Sequence, residues 1–122
     1  MYEILIVGGG PAGLTAAIYA ARAGKHVAVL ERGSSGGQII SAPLVENYPG
    51  IPSVSGTELA RQMTEQACTF GAEIVYTEAV GLEKTPAGFR VLCTDGAREA
   101  KTVILATGAA HRRLDLPWET TL

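Results

Sequence analysis

The sequence predicts an α/β domain with a parallel sheet at its core and a small antiparallel meander beside it. Three observations carry this. An aliphatic run at the very start ends in glycines, passes into a helical pattern and returns as a second aliphatic run, all within the roughly 30 residues of a βαβ unit. A second helical pattern follows after a long polar loop. Three further strand-like runs, separated by turn residues, then lead to another glycine, in "KTVILATG".

The first run, "YEILIV" (residues 2–7), suits a strand buried on both faces. From Pro11 to Ala23 the apolar positions Leu14, Ala17, Ile18 and Ala21 fall at helical spacing. Pro11 stands in the first turn, where its missing N–H is no loss. Arg22 and Gly24 supply the charge and the flexible residue that a helix C-terminus favours. "HVAVLE" (residues 26–31) reads as the second strand, parallel to the first. Residues 33–56 are rich in Gly, Ser and Pro, and a loop of that length inside a domain is functional or disordered. Residues 57–70 return to helix, with Leu59, Met63, Ala67 and Phe70 on one face and Gly71 as the stop. "AEIVYTEAVGLEKT", "GFRVLCT" and "KTVILATG" then read as a meander turning at "PAG" and "DGARE".

Composition narrows the function. The length admits one domain, and 47% hydrophobic with 18% charged residues makes it globular. A net charge of −2 gives no electrostatic case for nucleic acid or an anionic membrane surface. No apolar run approaches the ~18–20 residues of a bilayer span. "MYEILIVGGG" carries an acid where a secretion signal carries basic residues, so no targeting segment is expected. Cys68 and Cys93 form no CxxC and no metal-ligand cluster; both are expected to be small buried residues in a reducing cytoplasm.

Gly8, Gly10 and Gly13 fit G-x-G-x-x-G. With 15 glycines among 122 residues the pattern alone is weak. Its context is not weak, because it follows a strand, opens a helix, and is followed by an acid, Glu31, at the end of the next strand. Gly8 then makes the turn, Gly10 lets the backbone approach a pyrophosphate, and Gly13 lets helix and strand pack closely. The N–H groups and dipole of the helix start favour the phosphate charge. Glu31 can accept hydrogen bonds from ribose hydroxyls, and its charge opposes a 2′-phosphate. A dinucleotide is expected on this turn.

The blocks "GGGPAGLTAAIYAARAGKHVAVLE", "GGQI", "VENYPGIP" and "ATGA" resemble, in order and spacing, the low-molecular-weight bacterial-type thioredoxin reductases. The resemblance runs from residue 2 to about 117. It implies that residues 1–122 belong to a Rossmann-like FAD-binding domain of the two-dinucleotide flavoprotein type. Gly8, Gly10, Pro11, Ala12 and Gly13 would line the FAD pyrophosphate, Glu31 would hold the adenosine ribose, and Arg32 would lie beside the adenine. Gly37 and Gln38 would border the flavin and ribityl chain, Asn47 would reach the isoalloxazine edge, and Val80 would touch the adenine through its backbone. Ala106, Thr107 and Gly108 would cross the dinucleotide on its other side. On turn chemistry alone, Gln38 and Asn47 read equally as loop residues satisfying their own backbone.

The resemblance further implies a homodimer in which electrons pass from NADPH through FAD to a redox-active disulfide and on to thioredoxin or a similar disulfide protein. Family members continue past "LPWE" into a nicotinamide-binding domain with a second glycine fingerprint and a CxxC, then return to close the FAD domain. This sequence has neither feature, so it is expected to be the amino-terminal part of such a protein and, alone, to reduce no disulfide. Trp118 stands where the family usually has a small residue. Two rivals stay open: a relative driven by ferredoxin or feeding a peroxiredoxin, and a non-catalytic nucleotide-binding module. His26 and His111 have no partner acid placed by spacing and read as structural or surface residues. Arg112 and Arg113 read as a solvated edge, and Tyr48 as packing.

Overall fold

The computed structural model describes residues 1–109. Strand β1 (Tyr2–Val7), helix α1 (Pro11–Arg22) and strand β2 (Val27–Glu31) form the expected βαβ unit, with Ile4 opposite Val27 and Val7 opposite Leu30. Helix α2 (Gly56–Thr69) crosses to β3 (Glu73–Tyr76), which pairs parallel with β2 from Ala28–Glu73 to Glu31–Tyr76. Strands β4 (Ala79–Thr85), β5 (Gly88–Cys93) and β6 (Gly96–Leu105) form the meander.

The meander is continuous with the parallel strands in one six-stranded sheet of order β3-β2-β1-β6-β5-β4. β6 makes the join: its first half pairs antiparallel with β5, and its second half pairs parallel with β1, from Tyr2–Ala100 to Val7–Leu105. The stretch read as one strand over residues 72–85 is two strands on opposite edges of the sheet. The chain turns out of β3 at Thr77, whose N–H bonds the Glu31 carbonyl at 3.0 Å.

Strict alternation explains why β1 and β2 consist of little but aliphatics. Ile6, Val27 and Val29 pack with Leu14, Ala17 and Ala21 of α1 and Leu59, Met63 and Ala67 of α2. Leu5, Ala28 and Leu30 point to the other face, against Val91, Cys93 and Ala100. Each residue of such a strand therefore removes apolar area from water on one face or the other. Two expectations for α2 fail. Phe70 follows the last helical residue and is 43% exposed, with the Arg22 guanidinium 5.6 Å from its ring centre. Cys68 is exposed; of the two thiols, only Cys93 is buried.

The long loop is partly ordered by local structure: a 3₁₀ turn over Gly37–Ser41, then a small hairpin with bridges Val45–Val54 and Tyr48–Ile51. α2 begins behind it with a full cap, Ser55 Oγ accepting the Glu58 N–H at 3.1 Å. The Arg61 guanidinium beside Glu58, helped by Gln62, holds that carboxyl down to about 2. A depressed carboxyl stabilises the fold fully above its ordinary value and loses that contribution as pH falls toward the folded one. The difference in Tm between the protein and Glu58→Gln should therefore be constant above about pH 4.5 and shrink toward zero near pH 2 in thermal melts. A difference that does not change with pH would mean that the ion pair contributes nothing.

Candidate functional site

The sheet changes direction of growth at β1: the chain runs outward through β2 and β3 on one side, while β6 lies on the other. The crevice beyond the carboxyl ends of β1 and β6 is where such sheets bind ligands. Gly8–Gly13 leave β1 there, and Ala106–Gly108 leave β6 beside them. The Ala106 N–H bonds the Val7 carbonyl at 2.8 Å, and the Gly8 N–H bonds the Leu30 carbonyl at 2.9 Å.

The three motif glycines have different reasons. Gly8 sits at φ +112°, and a Cβ on it would overlap the Ala106 carbonyl. A Cβ on Gly13 would overlap the Gly8 carbonyl. Both are demanded by the protein's own packing. Gly10 is not: its φ is −79°, and a Cβ there would meet nothing nearer than the Gly37 Cα at 3.8 Å. A Cβ there would make an ordinary van der Waals contact, so the fold does not demand a glycine at this position.

Helix α1 starts at this glycine. Pro11 occupies its first turn, no side chain caps it, and no acid lies in the first turn. α2, by contrast, has both the Ser55 cap and Glu58. The N–H groups of Ala12 and Gly13 and the positive end of the α1 dipole are thus left for an anion from outside the chain.

Glu31 shapes the turn as well as facing it. Its Oε1 accepts the Gly9 N–H at 2.8 Å and its Oε2 accepts the Gly33 N–H at 2.7 Å. Each oxygen keeps acceptor capacity for a further donor. The loop after β2 then packs backbone to backbone on the turn: Gly36 donates to the Gly9 carbonyl at 2.6 Å, and a Cβ on Gly37 would come within 3.0 Å of the Gly10 Cα. Gly9 and Gly36 are thus part of the site, though the motif does not mark them. The sequence signal for Gly36 is its place beside Gly37 in the block "GGQI".

The remaining residues are placed less uniformly. The Gln38 amide donates to the Ala109 carbonyl, tying the 3₁₀ turn to the loop after β6. Arg32, Thr107 and Gly108 are exposed. Asn47 and Tyr48 lie on the small hairpin, beside a shallow hollow lined by Glu46–Pro52, and no hydrogen bond joins Asn47 to the turn among the described residues. Val80 falls at a register shift: Ala79 pairs with Cys93 and Gly81 with Leu92, so Val80 has no partner on β5. A bulge leaves backbone groups outside the ladder, as a main-chain contact to a ligand requires. His26 lies just before β2, not within it, and is exposed; its N–H bonds Glu3 Oε2 at 2.7 Å. His111, Arg112, Arg113 and Trp118 lie outside the described residues.

Among the described residues no group of His, Cys, Asp or Glu could hold a metal ion, and no helix is long and apolar enough to cross a membrane.

Residues 2–121 match the family model of the pyridine nucleotide-disulphide oxidoreductases. The chain is 44% identical over 120 residues to a thioredoxin reductase of Treponema pallidum, covering 98% of this chain and 39% of that protein. Among solved structures, Lactococcus lactis thioredoxin reductase superposes with a TM-score of 0.94 at 39% identity, over 98% of this chain and 40% of that one. A ferredoxin-flavin thioredoxin reductase from Clostridium acetobutylicum superposes with a TM-score of 0.84 at 31% identity, over 92% and 39%. The chain thus spans about two fifths of the length of the relatives it matches.

Proposed function

We propose, for a chain that belongs to the pyridine nucleotide-disulphide oxidoreductase family, that it is the FAD-binding part of a thioredoxin reductase. The observation that carries the reading is Gly10, a glycine that the packing does not demand, at the uncapped start of α1. The residues present fit a dinucleotide. Gly8 and Gly13 form the turn, and Gly10 lets the backbone approach the pyrophosphate. Ala12 and Gly13 donate N–H groups to it, while Pro11 fixes the first turn without an N–H of its own. Glu31 takes the ribose hydroxyls, with Arg32 beside the adenine and the unpaired Val80 backbone against the base. Gly37, Gln38 and Asn47 border the ribityl chain and flavin, and Ala106, Thr107 and Gly108 close the other side.

When bound, FAD supplies the two-electron chemistry that links NADPH to a redox-active disulfide and through it to thioredoxin. The chain's own residues bind and orient that group. Neither free cysteine serves as the disulfide: Cys93 is buried in the sheet core, and Cys68 lies on the surface of α2. The whole protein is a cytoplasmic homodimer acting on thioredoxin or a similar disulfide protein.

The likeness to the ferredoxin-flavin enzyme supports a second reading, in which ferredoxin replaces NADPH as donor. One assay separates them. The whole polypeptide carrying this chain, loaded with FAD, is mixed with oxidised thioredoxin and either NADPH or photoreduced ferredoxin. Thiol release with NADPH is expected. Release with ferredoxin alone would favour the second reading, and release with neither donor would favour a non-catalytic nucleotide-binding module.

A further inference from the structure

Thr77 is the one buried polar side chain among the described residues, 8% exposed. It stands in the two-residue link between β3 and β4, where the chain leaves the parallel strands for the far edge of the sheet. Its N–H bonds the Glu31 carbonyl at 3.0 Å, and its Oγ1 donates to Asp95 Oδ1 at 2.6 Å. Asp95 belongs to the tight turn between β5 and β6. It is itself held in a fork by Arg98, whose Nη1 and Nη2 donate to its two oxygens at 2.7 and 3.1 Å. Next to it, the Thr94 N–H bonds the Glu78 carbonyl at 2.9 Å. The Arg98 guanidinium, with the Thr77 hydroxyl, holds the Asp95 carboxyl well below the usual carboxylate range, so it stays an acceptor.

A buried hydroxyl needs a partner, and a valine of the same shape would fill this place without one. What the polar pair adds is direction. The link is fixed to Glu31 at one end and to the β5–β6 turn along its side, and the bulged Val80 follows three residues after Thr77. We propose that Asp95, acting through Thr77, is a positioning residue for the adenosine half of the dinucleotide. It sets the spacing between the Glu31 carboxylate, which takes the ribose, and the unpaired Val80 backbone, which meets the base. The inference rests on the dinucleotide reading above.

The test uses ADP, which spans the phosphate turn and the adenosine site, and inorganic pyrophosphate, which reaches the turn alone. Both are titrated against this protein while the Ala12 and Gly13 amide resonances are followed. Thr77→Val should raise the Kd for ADP about three- to tenfold, the value of one lost hydrogen bond. It should leave the Kd for pyrophosphate within twofold. Thr77→Ser, which keeps the hydroxyl, should restore ADP binding. Asp95→Ala, at an exposed position, removes the acceptor of the Thr77 hydroxyl, should weaken ADP in the same selective way and covers the case in which Thr77→Val fails to fold. Unchanged ADP binding in both Thr77→Val and Asp95→Ala, or equal losses for ADP and pyrophosphate, would overturn the positioning role while leaving the dinucleotide reading intact. An unsubstituted protein that binds no ADP at all would overturn both.

Discussion

Gly10→Val should abolish FAD binding while leaving the fold in place. The valine side chain enters the space over the turn and denies the pyrophosphate access to the Ala12 and Gly13 N–H groups. Two charge-assisted hydrogen bonds of about 1.5–3 kcal/mol each are lost, so affinity falls at least about a hundredfold. The new Cβ itself is tolerated, because its nearest atom is the Gly37 Cα at 3.8 Å and the φ of −79° suits any residue. The weaker helix-starting preference of valine opposes the change by about 1 kcal/mol. Gly13→Ala is the contrasting change. Its Cβ overlaps the Gly8 carbonyl, and the helix must move off the strand, a strain of about 1–3 kcal/mol. Thermal melts and flavin titrations on both variants separate a glycine kept for the ligand from one kept for the fold. If Gly10→Val purifies with full flavin content, the turn is wrongly assigned.

Glu31→Ala should weaken FAD by about 1.5–3 kcal/mol, roughly ten- to a hundredfold, from the lost bonds to ribose alone. A second loss adds to it, because the same carboxylate holds Gly9 and Gly33 in place before any ligand arrives. Glu31→Gln distinguishes the two roles. An amide presents one acceptor and one donor, so its NH2 must face either the Gly9 or the Gly33 N–H. Glutamine should therefore disturb the turn even though it can still bond a ribose hydroxyl. Binding of a nicotinamide dinucleotide with a 2′-phosphate should not improve in Glu31→Ala by more than it does in Glu31→Gln, since both remove the opposing charge. If NADPH rather than FAD loses affinity in Glu31→Ala, the turn serves a different dinucleotide.

Much of this site is legible in the sequence because its parts are local. The strand, glycine turn and helix over residues 2–22 follow from alternation, close approach and a proline at the helix start, and each is found as expected. The break at Thr77 is not local. It depends on the Glu31 carbonyl and on Asp95, neither of which propensity can place next to it, so the run over residues 72–85 reads as one strand. The Val80 bulge is hidden for the same reason, since a register shift belongs to a pair of strands. Cys68 is a different case. The periodicity that puts Ala67 inside puts Cys68 outside, and it outweighs the general preference of thiols for the interior. Gly10 is the most informative position: the motif marks it alongside Gly8 and Gly13, and only the packing shows that, of the three, it alone is not demanded by a backbone overlap.

The claim that a dinucleotide rests on this turn is tested most directly by the backbone amides themselves. FAD is added to the isotopically labelled protein, and the shifts of all assigned amides are followed to saturation. The expected result is that the largest changes fall at Gly9, Gly10, Ala12 and Gly13, with Val80 moving in step and ADP reproducing the pattern. Saturable FAD binding that leaves those four amides unmoved, or that moves residues away from the carboxyl ends of β1 and β6 instead, would contradict it.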